Sequence, residues 1–496
     1  MTAPSTEAAA EQWDLTAQVS PYLDRHLIFP LLEYIIENLD YSKEDVAAAR
    51  LELLRPTHMV DYAAECHKAL HGDAPAEMKQ QKEQVYQQLE TLKNGCEPLL
   101  KLCQDENEKK KLVESGKWNV AGLTQIPGIT SEMIQTYLAL ARFHFDCGDY
   151  KSSRDMVTHC ISWHASPPAT SAEDEEEDLV LAGVQQSKHQ QQAQNNPDLG
   201  NPSMYYLKKA DKDMLQVLWG KLACEILVED WAAARTALDA VKTAMETLTQ
   251  MGQITALEAL QQRTWLLHWS LFVYWNGPGG LEQLVDLCMT EKYKQAITTN
   301  APHLLRYLTA AVLLCKRRVT SKTVEARRLM KQLVYVLQDC EYSDPIVEFV
   351  NCLCVKYDFD AAQVKLQECE KVLRADFFLC QQTAVFMEEA RIFVFENYCR
   401  IHHKIDLQAL GDKLAMAPAE AERWMVDLIR NATDMDACLQ DDCVVMNSSR
   451  QSIYEQVMER TKDLNVRSAT LSQSLNTLWN EARKEKLKRE KAVMED

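Results

Sequence analysis

Apolar residues in this chain recur every three or four positions over most of its length, a spacing that admits few folds other than packed helices. Ile134, Tyr137, Leu138, Ala141 and Phe145 form one stripe, and Ala234, Leu238, Val241, Met245 and Leu248 form another. Such a stripe must be buried against a neighbour, and short polar turns between stripes imply antiparallel helix pairs. Turn formers are scarce: 14 Gly and 15 Pro stand among 496 residues, well under their usual share of about 12%. That leaves little room for hairpins and excludes a sandwich, barrel or propeller. A 46% hydrophobic and 26% charged composition is that of a folded soluble protein.

An internal echo points to stacked helix pairs. Asp149-Tyr150-Lys-Ser-Ser-Arg154, Asp230-Trp231-Ala-Ala-Ala-Arg235 and Asp358-Phe359-Asp-Ala-Ala-Gln363 share one pattern, with Lys292-Tyr293-Lys-Gln-Ala296 a weaker copy. The acid suits the positive end of the second helix of a pair. The aromatic fills the wedge between helices, and the small residues allow close approach. This resembles a tetratricopeptide-type hairpin, but the aromatics are 81, 62 and 66 residues apart, so the expected fold is a degenerate helical solenoid. Ser166–Ser203 interrupts it with Pro167-Pro168, the acidic run Glu173–Asp178 and a Gln-rich tract. Lacking apolar periodicity, it reads as a disordered insert.

The pattern changes near the end. Asp406–Leu414 reads as a short helix, Pro418–Asn431 as a second with Trp424 and Leu428 facing inward, and Cys443–Met446 as a strand. Helix, turn, helix, hairpin is the winged-helix order. Ile453–Lys491 then reads as one long helix. Val457, Leu464, Leu471 and Leu478 fall on a seven-residue repeat, with Ile453 and Leu475 alongside. These six residues are the expected seam for partner helices. The following EARKEKLKREK run is charged on all sides and is expected to fray.

With 54 Lys+Arg against 73 Asp+Glu the net charge is −19, which repels nucleic acid except at a local basic patch. One such patch stands out: Lys316, Arg317, Arg318, Lys322, Arg327, Arg328 and Lys331, opposed only by Glu325. It reads as a solvated face or a dock for an acidic partner, with ribosomal or messenger RNA as the other occupant. Pro418–Asn431 carries more acid than base and does not suit a DNA groove. Trp265, Trp269, Phe272 and Trp275, at steps of 4, 3 and 3, read as one buried face rather than an RNA platform. His268 reads as a hydrogen-bonded core histidine.

No Walker loop, nucleophile elbow, HExxH or paired CxxC motif occurs. Cys399-Arg-Ile-His402-His403 imitates a metal cluster but lacks a fourth ligand, so no metal, cofactor or small-molecule substrate is expected. Sixteen cysteines, on a chain whose opening MTAPSTEAAAEQWD has no signal-peptide pattern, read as reduced thiols in the cytoplasm. The apolar stretches Thr264–Trp275 and Tyr307–Cys315 fall short of the roughly 18 residues of a membrane span.

Four stretches carry a family resemblance: Asp14-Leu-Thr with Leu23–Glu33, Gln261–Trp275, Pro302–Thr309, and Glu420–Trp424 with Leu428–Ala432. Together they resemble the PCI-domain family of large-complex subunits, and within it the members found in eukaryotic translation initiation factor three. The resemblance spans residues 14 to about 470. It implies a non-enzymatic scaffold that assembles with other subunits of that factor through winged-helix edges and a C-terminal helix bundle. It also implies a role at the small ribosomal subunit, in recruiting initiator tRNA and mRNA; the alternative is the same fold in a proteasome lid or signalosome.

On that frame, residues 1–12 are a disordered terminus, 13–260 helical repeats and 261–447 the PCI domain, helical over 261–404 and a winged helix over 405–447. Residues 450–480 are the bundle helix and 481–496 a charged tail. Two features depart from the family. The Ser166–Ser203 insert is long, and Ala417 replaces a Thr cap before Pro418, a loss of about 1 kcal/mol locally.

Overall fold

The computed structural model describes residues 13–39, 41–72, 76–164, 211–315, 323–402, 404–406, 423–424, 426–427, 437–440, 443–446 and 453–495. They are almost entirely helical and form two compact units, one ending at Val394 and the other starting at Phe395. The expected disordered terminus, the 166–203 insert and most of the proposed winged-helix helices lie outside the described residues.

Apart from single turns at Thr16–Val19 and Val120–Leu123, six helices open the first unit: α1 (Arg25–Asn38), α2 (Lys43–Leu54), α3 (Val60–His71), α4 (Ala76–Gly95), α5 (Glu97–Gln104) and α6 (Glu106–Glu114). The pairs follow: α7 (Ser131–Asp146) with α8 (Tyr150–His164), α9 (Lys212–Val228) with α10 (Trp231–Gln250), and α11 (Ala256–Asn276) with α12 (Gly280–Met289). Beyond them come α13 (Glu291–Asn300), α14 (Leu304–Cys315), α15 (Thr323–Asp339), α16 (Pro345–Asn351), α17 (Phe359–Ala375) and α18 (Thr383–Ile401). From α7 to α12 each helix packs on the next in sequence, the arrangement of a repeat protein.

Local chemistry places the helix starts. Asp230 accepts from Ala233 N at 3.1 Å, Asp358 from Asp360 N and Ala361 N at 3.1 Å, and Asp149 from Ser152 N at 3.2 Å. The acids of the echo are therefore N-caps, each satisfying donors the helix leaves free. The last small residue of each copy is buried: Ser153, Ala234 and Ala362. Ser153 Oγ reaches back 2.8 Å to Ala141 O on the preceding helix, a contact a larger residue would prevent. In the weaker copy, Tyr293 and Ala296 are buried, but the side chain of Thr290 does not cap α13; its hydroxyl donates back to Asp286 O at 3.0 Å. Thr255 and Glu258 close a full capping box on α11.

Gly148 turns α7 into α8 at φ +86, and a Cβ there would press on the Met59 side chain at 3.1 Å. Both the conformation and the space select glycine.

The two sequence stripes face the core. All five residues of the Ala234–Leu248 stripe are buried, as are Ile134, Tyr137 and Ala141 of the other. The tryptophan run corrects its expectation: every residue from Leu266 to Trp275 is buried, not one face alone. The reason is that α11 is enclosed by α10, α12, α13 and the turn Ser20–Tyr22. Trp265 remains half-buried.

The N-terminal segment departs from sequential stacking. Trp13 O accepts from Arg306 Nη1 at 2.8 Å, Tyr22 OH donates to Asn300 O at 3.1 Å, and Tyr34 OH donates to Arg374 O at 2.6 Å. Ile28, Leu32 and Ile35 of α1 share an apolar cluster with Ala375. The segment is a strap across helices about three hundred residues further along.

The second unit holds a three-stranded antiparallel sheet of order β1-β3-β2, built from β1 (Lys404–Asp406), β2 (Ala437–Gln440) and β3 (Cys443–Met446). Ile405 pairs with Val444, and Leu439 pairs with Val444 from the other side. The expected strand at Cys443–Met446 is thus the centre of this sheet. Trp424 is half-buried, with its ring edge-on to Phe395 at 6.1 Å. Helix α19 (Ile453–Glu495) closes the unit and is 43 residues long, about 64 Å. It continues through the run expected to fray, whose Ala, Leu, Glu, Lys and Arg are all strong helix formers.

Candidate functional site

Helix α19 exposes the residues its sequence singles out. Ile453, Val457, Leu464, Leu471, Leu475 and Leu478 are all between 56% and 78% exposed. At 100° per residue they fall on one face over about 38 Å. Thr461 and Ser468 stand between the apolar residues on that face, giving steps of 4, 3, 4, 3 from Val457 to Leu471. Thr461 Oγ donates to Val457 O at 2.7 Å, so its hydroxyl is satisfied within the helix. Polar positions inside such a seam lower stability and select register. Tyr454 and Trp479, which the heptad reading passed over, are 82% and 73% exposed, each turned about 100° around the helix from the stripe residue it follows.

An exposed apolar stripe of this length is rare on a monomer. Burying the remaining surface of six such side chains is worth roughly 6–12 kcal/mol before ordering costs. The arrangement is suited to holding another helix.

The basic patch divides. Lys316, Arg317, Arg318 and Lys322 lie outside the described residues, whereas Arg327, Arg328 and Lys331 belong to α15, with Arg328 and Lys331 exposed. Near the imitation metal cluster, Cys399 is half-buried, its thiol pushed up to about 12 by burial, and His402 is exposed; His403 lies outside the described residues. No three His, Cys, Asp or Glu side chains converge as a metal site among the described residues.

Two buried polar clusters account for the oddities of the core. His268 Nδ1 bonds to Thr264 O at 2.7 Å and its Nε2 faces His303 Nε2 at 2.8 Å. The core reading of His268 therefore holds, with His303 as a partner that single-residue reasoning does not find. Arg306 is 1% exposed within an α14 buried at every residue. Its Nη2 donates to Asp344 Oδ1 at 2.6 Å and its Nη1 to Asp376 Oδ2 at 3.2 Å. Burial alone would depress Arg306, but the two carboxylates outweigh it and hold the guanidinium charged. Asp344 also caps α16 through Ile346 N, and Asp376 accepts from Tyr307 OH, Phe378 N and Leu379 N. A cation inside an apolar run was the available signal.

Comparison with known proteins decides the family. The eIF3 subunit 6 N terminal domain matches residues 14–144. The E subunit of eukaryotic translation initiation factor 3 from Arabidopsis thaliana is 33% identical over 486 residues, covering 95% of this chain and 98% of the relative. The chain belongs to the E-subunit family of eukaryotic translation initiation factor 3. The Bombyx mori member is 35% identical over 473 residues, 93% of this chain and 94% of its own length. The Aspergillus fumigatus member is 33% identical over 478 residues, 94% of each. Membership of this family makes the chain a translation initiation factor subunit rather than an enzyme. No helix among the described residues is long and apolar enough to cross a membrane.

Proposed function

We propose that the chain is a cytoplasmic scaffold subunit of the initiation factor three complex. In this reading it acts in assembly of the pre-initiation complex and in recruitment of mRNA and initiator tRNA to the small ribosomal subunit. The observation that carries it is the uncovered stripe of α19, Ile453 to Leu478, on a chain whose relatives are named as subunits of that factor. The stripe is the seam for helices of other subunits. Residues 261–404 and 405–447 form the helical and winged-helix parts of a PCI domain, a reading supported by the three antiparallel strands and by Trp424 beside Phe395. The basic patch around Arg328 contacts RNA or an acidic partner.

Affinity purification of the tagged full chain from cells tests this. It should bring down the other subunits of initiation factor three and sediment with small ribosomal subunits. Recovery only with proteasome lid or signalosome subunits would overturn it.

A further inference from the structure

Helix α15 presents one aromatic ring to solvent, with one cation against it and two more along its face. Tyr335 is 60% exposed, unusual for a large ring on a helix that buries Leu333, Val336 and Leu337. The ammonium of Lys294, on α13, stands 5.2 Å from the ring centroid, within cation–π range. Arg328 and Lys331 precede Tyr335 by seven and four residues, so all three share a face about 10 Å long. Neither Arg328 nor Lys331 has an ion-pair partner among the described residues. Glu291, at 4.0 Å from Lys294, and the exposed Asp339, four residues after Tyr335 on the same face, are acids that oppose the cluster.

We infer that Tyr335 is a stacking platform for a base of single-stranded RNA, with Arg328, Lys331 and Lys294 engaging the adjoining phosphates. A flat exposed ring among cations matches how single strands are held: stacking on an aromatic face plus charge along the backbone. An acidic peptide would be held by the cations and the Tyr335 hydroxyl, whereas only a stacked base needs the face of the ring. A duplex keeps its bases inside the stack and cannot reach it. The inference deepens the reading of the basic patch as an RNA contact and rests on it. It names the nucleic acid and the residue that would tell it from other anions.

Fluorescence anisotropy of the full chain with a labelled fifteen-nucleotide oligouridine tests both levels. Thermal melting shows first that each variant is folded. Tyr335→Ala should weaken binding roughly tenfold and Tyr335→Phe should leave it near the parent. Arg328→Glu with Lys331→Glu should weaken binding and flatten its salt dependence by one to two phosphate contacts. If the charge reversals weaken binding and Tyr335→Ala does not, the patch contacts RNA but the stacking assignment fails. If neither changes binding, or a polyglutamate peptide or an RNA duplex binds more tightly than the single strand, the RNA reading falls with it.

Discussion

Inside the first unit two imidazoles face each other, His268 Nε2 and His303 Nε2 at 2.8 Å. The bond from His268 Nδ1 to Thr264 O leaves His268 Nε2 as acceptor and His303 Nε2 as donor, so one neutral tautomer of each ring fits. A proton added to His268 would set two N–H groups head to head. The Tyr22 ring stacks on His268 at 4.3 Å, and His268 is fully buried. Burial accordingly lowers His268 to about 3 and His303 to about 4, the latter also by the charge of Arg306. The unfolded chain takes up protons as pH falls through 6.5, while the folded one resists until about 4. The stability from this pair is therefore complete above pH 6.5 and drains away on acidification below it. Between pH 7 and pH 5 the loss is about 2 kcal/mol per ring. Denaturant titrations at the two pH values should show His268→Gln with His303→Gln losing less than the parent by about 4 kcal/mol. Equal losses in both would show that the pair is not held neutral.

Among the elements, α19 is the test of assembly. A charge in the middle of its stripe would have to be desolvated against a partner helix, at several kcal/mol per residue. Leu464→Asp with Leu471→Asp should release the chain from its complex in a pull-down. The circular-dichroism melt of the first unit should not move, because both residues are already in water. Retention of assembly would exclude the seam. This element was legible because its information is local: period, length and charge lie in one stretch. The same holds for Asp149, Asp230 and Asp358, which cap the helix they precede and need no knowledge of the rest of the fold. Tyr335 was not legible, because exposure of a ring on an otherwise apolar helix depends on which neighbours cover it. Nor was the full enclosure of α11. Its tryptophan spacing describes one face, and the N-terminal turn that covers it lies about 240 residues earlier.

For the whole molecule, Arg306 decides whether the strap and the far helices act together. It joins the cap of α16, the turn at Asp376 and the carbonyl of Trp13, pairings that span 38, 70 and 293 residues. No periodicity encodes such distances, which is why a cation in an apolar run could be noticed but not assigned. Arg306→Met should cost about 3–5 kcal/mol, since it leaves two buried carboxylates without their cation. Limited proteolysis should then cut first within residues 13–38. A variant cut no faster there than the parent would show that the strap is held independently of the arginine.

The same strap has a consequence for how the protein is made. Tyr34 emerges from the ribosome 340 residues ahead of the carbonyl of Arg374 that it bonds. At typical synthesis rates that is a wait of roughly 20 to 70 s. During it the apolar side of α1, Ile28 to Ile35, can already settle on Leu39 and Val46, but its far neighbour Ala375 has yet to be made, so the strap closes only late in synthesis.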